Sequence, residues 1–238
     1  MPGPTVDGGG GLIPVLVLLD LDGTLIESAP DLYAALVDLA REEGRRPPEL
    51  TTIRSVVSLG SMALLAAGLG SLPDEPEERE HLRSRFLAAY RGRGFSETTW
   101  MPGIPELLQA LDRDGHRWGV VTNKPLDLTQ EILRRLLVDD LPPPAVVVAG
   151  DSLPVKKPDP APLLYALALA HGSTEEGLYV GDARADVEAA HAAGLPAYVA
   201  LWGYLGTSTP AECWGAEGLL RHPLDLLIHL DRTVEGTA

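Results

Sequence analysis

The amino-acid sequence predicts an α/β protein with a doubly wound parallel sheet and an inserted α-helical domain. Two observations support this prediction. Short, strongly apolar runs, typical of parallel strands covered on both faces, alternate with segments of helical periodicity over most of the chain. The alternation stops between residues 29 and 98, where only helical patterns occur. The chain of 238 residues is long enough for one core and a small second domain.

Five apolar runs are predicted to be the strands of the sheet. They are residues 15–19, 117–121, 145–149, 178–180 and 197–201. Four helical segments lie between them, at residues 104–113, 126–138, 160–170 and 184–193. In doubly wound sheets, ligands bind beyond the carboxyl ends of the strands. The residues that directly follow each run are therefore the candidates for chemistry.

The chain is predicted to divide into a tail, a core and an insert. Residues 1–11 are rich in Gly and Pro and contain no basic residue, so we expect a disordered tail rather than a secretory signal. Residues 12–28 and 99–238 are assigned to the catalytic core, and residues 29–98 to the helical insert. The insert is expected to contain three helices, at residues 31–43, 53–68 and 75–91.

Composition and charge narrow the possible partners. The formal net charge of −15 disfavours binding to nucleic acids and to anionic membrane surfaces. The early apolar run at residues 12–19 is far shorter than a membrane span, which requires about 20 residues. The lone cysteine, Cys213, excludes an intrachain disulfide and is expected to be a buried thiol. We therefore expect a cytoplasmic protein, and a monomer or a homodimer is compatible with the sequence.

Polar residues cluster directly after the predicted strands. They are Asp20, Asp22, Thr122, Asn123, Asp151, Asp182 and, four residues further on, Asp186. Two bare carboxylates about 4 Å apart repel each other by about 4 kcal/mol at an effective dielectric constant near 20. A divalent cation removes this repulsion, and Mg²⁺ fits best because it binds carboxylates together with water and phosphate oxygens. The sequence therefore predicts a magnesium site for phosphoryl chemistry.

Lysine usage and a glycine turn support the same prediction. Only three of the 19 basic residues are lysines, and all three follow predicted strands: Lys124, Lys156 and Lys157. An ammonium group is a compact charge suited to a transferring phosphoryl group. Gly23 and Thr24 supply a turn with exposed amides and a hydroxyl that can contact a phosphate oxygen or cap the turn.

Four segments, in order, resemble the motifs of the haloacid dehalogenase superfamily of phosphatases. The segments are residues 20–25 (DLDGTL), 121–123 (VTN), 157–158 (KP), and 181–182 (GD) with Asp186. The resemblance extends over about residues 12–232. It implies a Rossmann-like core, a helical cap domain and Mg²⁺ as cofactor.

The same resemblance implies a role for each motif residue. Asp20 would attack phosphorus and bind Mg²⁺. Asp22 would protonate the leaving group, later deprotonate water, and offer its backbone carbonyl to the metal. Thr122 and Lys157 would hold the phosphoryl oxygens, although Lys156 is a rival for the lysine role. The remaining predicted site residues are Asp182 and Asp186 as metal residues, and Thr24 and Asn123 as phosphate-binding residues.

Within the superfamily, the sequence resembles two subfamilies that have different substrates. Residues 121–125 (VTNKP) and 150–162 resemble phosphoglycolate phosphatases. Residues 53–58, residues 118–119 and the closing segment 214–224 instead resemble phosphatases of N-acetylmuramic acid 6-phosphate. Residues 59–61 (LGS) replace the Gly-Asn-Gly segment of many phosphoglycolate enzymes. Both resemblances imply a phosphomonoester hydrolase of carbohydrate metabolism that acts on a small soluble metabolite.

Three other functions fit part of the pattern. A receiver-type signalling module also gathers aspartates, a hydroxyl residue and a lysine at strand ends, but it is shorter and lacks a helical insert after the first strand. A phosphate-binding regulatory protein with an inactive site would not need the intact acidic set. A sugar phosphomutase shares all four motifs and a helical cap, and the sequence leaves it open.

Overall fold

The computed structural model describes residues 14–138, 141–206 and 209–232. Its strands are β1 (Leu16–Leu19), β2 (Ile26–Glu27), β3 (Thr99–Trp100), β4 (Arg117–Val121), β5 (Val146–Val148), β6 (Gly177–Gly181), β7 (Ala197–Ala200) and β8 (Gly218–Leu220). Its α-helices are α1 (Ala29–Glu42), α2 (Leu50–Arg54), α3 (Ser61–Leu69), α4 (Pro76–Gly92), α5 (Ile104–Arg113), α6 (Leu126–Leu136), α7 (Ala161–Leu169), α8 (Arg184–Ala192) and α9 (Asp225–Arg232).

Six strands form one parallel sheet in the order β5-β4-β1-β6-β7-β8. The chain first adds strands on one side of β1 and then returns to add β6 on the other side, so the order reverses between β1 and β6. This is the doubly wound α/β architecture that the sequence predicts. The reversal places a crevice at the carboxyl end of β1, where open α/β sheets bind their ligands.

Alternating side chains of β1 serve the two faces of the sheet. Val17 and Leu19 belong to an apolar cluster with residues of α5, α6 and α9, while Leu16 and Leu18 belong to a second cluster with residues of α7 and α8. All four side chains are at most 1% exposed. Because both faces are covered, the strand is apolar throughout, which explains its continuous apolar sequence.

Four helices lie between the short strands β2 and β3, which pair antiparallel through Ile26 and Trp100. Helix α1 packs against α4 and α3. One apolar cluster contains both Leu36 of α1 and Leu19 of the sheet, so this helical layer shares its packing with the core. The division of the chain at residues 29–98 therefore stays a prediction.

The structure corrects several expectations at the level of elements. The single helix expected at residues 53–68 is wrong: α2, a 3₁₀ helix (Val57–Leu59) and α3 occupy this region. The break falls at Gly60, whose φ of 88° and ψ of 176° are incompatible with helix and are adopted essentially only by glycine. Cys213 is exposed rather than buried. The predicted tail at residues 1–11 lies outside the described residues.

Strands β2, β3 and β8 were absent from the sequence prediction, because two or three residues are too few for a periodic pattern. Within the described residues, no helix combines the length and the apolar character that crossing a bilayer requires.

Close packing between α1 and α3 predicts the effect of a small substitution. A Cβ atom at Gly68 of α3 would collide with the fully buried side chain of Leu36. We expect Gly68→Ala to lower the free energy of unfolding by about 1–3 kcal/mol, because the added methyl group would overpack the core. Gly92→Ala is the matched control, since a Cβ there meets open space. Urea unfolding measures both variants, and equal stability of the two would contradict this packing.

Candidate active site

Three buried carboxylates meet at the carboxyl ends of β1 and β6. Asp20 directly follows β1, Asp182 directly follows β6, and Asp186 lies in the first turn of α8. One carboxylate oxygen from each lies within 4.8 Å of the others. Their exposed fractions are 7%, 0% and 2%, respectively. The structure thus brings together three of the four predicted metal residues through their side chains.

Burial and mutual repulsion perturb the protonation of this cluster. Burial raises the pKa of Asp20 to about 6, with Asp186 and Asp22 adding to the rise and Lys157 opposing it. Burial also raises the pKa of Asp182 well above its usual value, and the charges of Asp20 and Asp186 contribute. Asp20 and Asp182 therefore hold protons more tightly than free carboxylates do, unless a cation takes the place of those protons.

Lys157 supplies the positive charge nearest to the cluster. Its Nζ lies 2.9 Å from Asp20 Oδ1 and 2.7 Å from Asp186 Oδ1, and it donates a hydrogen bond of 2.6 Å to the Tyr179 hydroxyl. Burial lowers the pKa of Lys157, but Asp186 and Asp20 outweigh it, so the net pKa is raised and the ammonium stays charged. Lys156, its sequence rival, is exposed.

Two glycines allow the aspartates to approach one another. A Cβ on Gly23 would overlap Oδ2 of Asp182, and the φ of 86° at Gly23 lies in the left-handed region. A Cβ on Gly181 would overlap the carboxyl group of Asp186. The glycines of the first and fourth motifs therefore serve the packing of the carboxylates as well as the turns.

Asp22 is held apart from the three carboxylates. Lys124 Nζ donates to both of its oxygens, at 2.9 and 3.1 Å, and Ser28 Oγ donates to Oδ1 at 2.5 Å. The same Nζ lies 4.6 Å from the centre of the Tyr90 ring, which belongs to α4. The scarcity of lysine pointed to Lys124, but no sequence signal identified Asp22 as its partner or Tyr90 as its neighbour.

The predicted phosphate-binding residues surround the cluster. Thr24 is fully buried and donates from Oγ1 to Asp182 Oδ1 at 3.2 Å. Thr122 lines the cavity, and its Oγ1 accepts a hydrogen bond from the backbone N–H of Lys124. Asn123 exchanges two hydrogen bonds with the backbone of Lys157, at 3.0 and 3.1 Å. Their contacts with phosphate stay predictions.

Asp151, the remaining strand-end carboxylate, has a structural role. It is exposed, and its Oδ1 accepts a hydrogen bond of 2.8 Å from the backbone N–H of Leu126. It therefore caps the beginning of α6, a common role for an aspartate. It is not a member of the metal-type group of carboxylates.

A cavity of about 270 Å³ lies over the carboxylates, between the sheet edge and the helices at residues 29–98. The inserted helices also touch the site directly. Ser58 Oγ, on the 3₁₀ helix, donates to Asp182 Oδ2 at 2.9 Å, and the backbone N–H of Tyr204 donates to the same oxygen at 2.6 Å. The sequence did not single out Ser58 or Tyr204. A ligand in this cavity would contact both parts of the molecule.

Fold and site together define a class of hydrolase. The sequence matches the haloacid dehalogenase-like hydrolase family over residues 17–200, and the chain belongs to that family. Members that act as phosphatases generally use Mg²⁺ and proceed through an aspartyl-phosphate. The Asp20, Asp182 and Asp186 group has the oxygen donors that such a metal requires.

Relatives narrow the class to phosphatases. The chain is 40% identical over 214 residues to a phosphoglycolate phosphatase of Xanthomonas campestris. The aligned region covers 90% of this chain and 95% of that protein. It is 36% identical over 218 residues to an N-acetylmuramic acid 6-phosphate phosphatase of Pseudomonas aeruginosa, covering 92% and 95% of the two chains.

A solved structure agrees with this classification. The crystal structure of a predicted phosphoglycolate phosphatase from Haemophilus somnus superposes with a TM-score of 0.80 at 26% identity, covering 91% of this chain and 97% of the other. Family and relatives together support a phosphatase.

The buried carboxylates predict a stability that depends on pH. The folded pKa of Asp20 is about 6, above its ordinary value of 3.8. In metal-free protein this group therefore contributes stability below about pH 4 and loses that contribution as the pH rises to about 6. We expect Asp20→Asn in EDTA to be more stable than the wild type at pH 7, by an amount on the order of 1–3 kcal/mol.

The difference between the two proteins should shrink as the pH falls to 4, since Asp20 of the wild type then carries a proton. Denaturant unfolding of the wild type and Asp20→Asn at several pH values measures this difference in stability. A difference that does not change with pH would show that the protonation of Asp20 is not perturbed in this way.

Proposed function

We propose that this protein is a Mg²⁺-dependent phosphomonoester hydrolase that forms a phosphoryl-aspartate on Asp20. The observation that carries the proposal is the position of Asp20, next to Lys157 and within 4.8 Å of Asp182 and Asp186 at the strand-order reversal of the sheet. Helices at residues 29–98 act as a cap domain over this site.

The residues fit a magnesium ion. Oδ1 of Asp20 is buried, makes no regular hydrogen bond to the described residues, and lies 2.9 Å from the Lys157 ammonium. Asp20, Asp182 and the backbone carbonyl of Asp22 would hold the ion, and Asp186 would support it through water. When bound, Mg²⁺ neutralises the carboxylates and the phosphoryl oxygens, which allows one anion to approach another.

Asp20 is the nucleophile. A carboxylate oxygen of Asp20 forms a bond to phosphorus while the bond between phosphorus and the ester oxygen breaks. In the second half of the reaction a water molecule attacks the phosphoryl group, the bond between phosphorus and Asp20 breaks, and inorganic phosphate leaves. Covalent catalysis thus divides one slow hydrolysis into two faster displacements.

Asp22 is the general acid and base. It gives a proton to the departing alkoxide in the first step and takes a proton from the attacking water in the second. Lys124 and Ser28 fix the orientation of its carboxyl group through the hydrogen bonds described above. Lys124 also contacts Tyr90 of α4, so this lysine connects the inserted helices to the catalytic residue Asp22.

Fixed donors stabilise the transferring phosphoryl group. Thr122 and the Lys157 ammonium bind its oxygens, while Thr24 and Asn123 support this phosphate-binding set through their hydrogen bonds to Asp182 and to the Lys157 backbone. Asn123 also positions Lys157, because both polar atoms of its side chain bind the Lys157 backbone. Such preorganised donors act strongly in a site from which water is excluded.

The proposed substrate is a small phosphorylated metabolite such as phosphoglycolate, in keeping with the relative at 40% identity. N-acetylmuramic acid 6-phosphate is the second candidate, supported by the relative at 36% identity. A cytoplasmic location, and a monomeric or homodimeric state, complete the proposal.

Replacing the nucleophile tests the reaction. Asp20→Asn should lower kcat for a generic phosphomonoester by at least about 10³-fold, because an amide cannot form the phosphoryl intermediate. Asp151→Asn is the matched control: it also replaces a strand-end aspartate, but one that caps α6. Release of inorganic phosphate measures both. Turnover by Asp20→Asn at the wild-type rate would refute the assignment of the nucleophile.

A panel of phosphomonoesters tests the substrate. We expect hydrolysis of 2-phosphoglycolate in the presence of Mg²⁺ and its loss in EDTA. Faster hydrolysis of N-acetylmuramic acid 6-phosphate would select the second candidate. Appearance of an isomerised sugar phosphate without free phosphate would identify a phosphomutase instead.

A further inference from the structure

We infer that Arg83, on α4, binds a carboxylate of the substrate from the side of the cavity that the inserted helices form. The substrate class is then a phosphomonoester that carries a second, carboxylic acid group. This inference rests on the proposed phosphatase function and adds the residue that selects among phosphomonoesters.

The first argument for this role of Arg83 is the distribution of charge in the cavity. Charged side chains are concentrated on the sheet side, where the carboxylates and Lys157 lie. The inserted helices contribute mainly apolar residues: Leu32, Val57, Leu59, Met62, Leu64, Phe86 and Leu87. Among the described residues that these helices place along the cavity, Arg83 carries the single formal charge.

The contacts of Arg83 leave it able to bind an anion. Its side chain is 25% exposed, its Nε lies 3.2 Å from Ser61 Oγ, and one terminal nitrogen lies 2.7 Å from Glu80 Oε1. The other terminal nitrogen makes no hydrogen bond to any described residue. Glu80 is 62% exposed, and such a surface ion pair contributes little and can be exchanged for a ligand.

The chemistry of the guanidinium selects the anion. Arginine binds carboxylates through two parallel N–H···O bonds, which a lysine cannot form. The two relatives are named for phosphoglycolate and N-acetylmuramic acid 6-phosphate. In both compounds the phosphate is esterified to a hydroxyl group and the molecule also carries a free carboxyl group. A carboxyl group is the feature that these two compounds share, and Arg83 is assigned to it in whichever of the two is the substrate.

Paired substrates test the inference. The first pair is 2-phosphoglycolate and 2-hydroxyethyl phosphate, and the second is N-acetylmuramic acid 6-phosphate and N-acetylglucosamine 6-phosphate, which lacks the acid. For the pair that the enzyme hydrolyses better, the wild type should prefer the acid in kcat/KM. Arg83→Met should lower the ratio of acid to neutral kcat/KM by roughly 10- to 100-fold, mainly through KM.

Arg85→Met is the matched control. Arg85 lies two residues further along α4, pairs with Glu42 and Glu43, and is not among the residues that line the active-site cavity. It should leave the ratio unchanged. Arg83→Lys should restore part of the preference, since it keeps the charge without the bidentate geometry.

The possible outcomes separate the inference from the proposed function. A selective loss of the acid substrate in Arg83→Met, absent in Arg85→Met, supports the inference. Equal losses for both members of a pair, or no preference for the acid in the wild type, overturn it while the phosphatase function stands. A selective loss in Lys156→Met but not in Arg83→Met also overturns it, because Lys156 lines the same cavity. A wild type that hydrolyses a generic phosphomonoester but no member of either pair overturns the inference alone, whereas a wild type that releases phosphate from none of these compounds refutes the proposed function itself.

Discussion

Asp20, Asp182 and Asp186 form a group of three buried carboxyl groups, with one oxygen of each within 4.8 Å of the others, and the rest of the site is arranged around this group. Their repulsion and desolvation oppose folding. Lys157 offsets part of this opposition through two ion pairs. A divalent cation would neutralise the repulsion that Lys157 does not offset, so a group of residues that opposes folding of the metal-free protein is also the group proposed to hold the metal for phosphoryl transfer.

The inserted helices participate in this arrangement rather than only covering it. Ser58 donates to Asp182, and Tyr90 lies against the lysine that orients Asp22. These contacts join the helical layer to residues proposed for metal binding and for proton transfer. Separating these helices from the sheet would break both contacts.

The sequence predicted the core elements well where their pattern was long enough. Residues 104–113 and 117–121 form a helix and a strand with the predicted bounds. The carboxylates were found because parallel strands end at one edge of the sheet, so residues that follow different strands must meet. The insert was harder to predict: its second helix is broken at Gly60 by a backbone conformation that apolar periodicity does not reveal.

The sequence by itself determined which residues end the strands and hence the type of chemistry, because chain direction and side-chain alternation are local properties. Only the tertiary structure decided which partner each residue has. Lys124 reaches Asp22 across 102 residues, and Ser58 reaches Asp182 across 124. Arg83 likewise lines the cavity only because α4 packs there. Such contacts depend on how the inserted helices dock on the sheet, and that docking is the summed result of apolar packing over the whole interface.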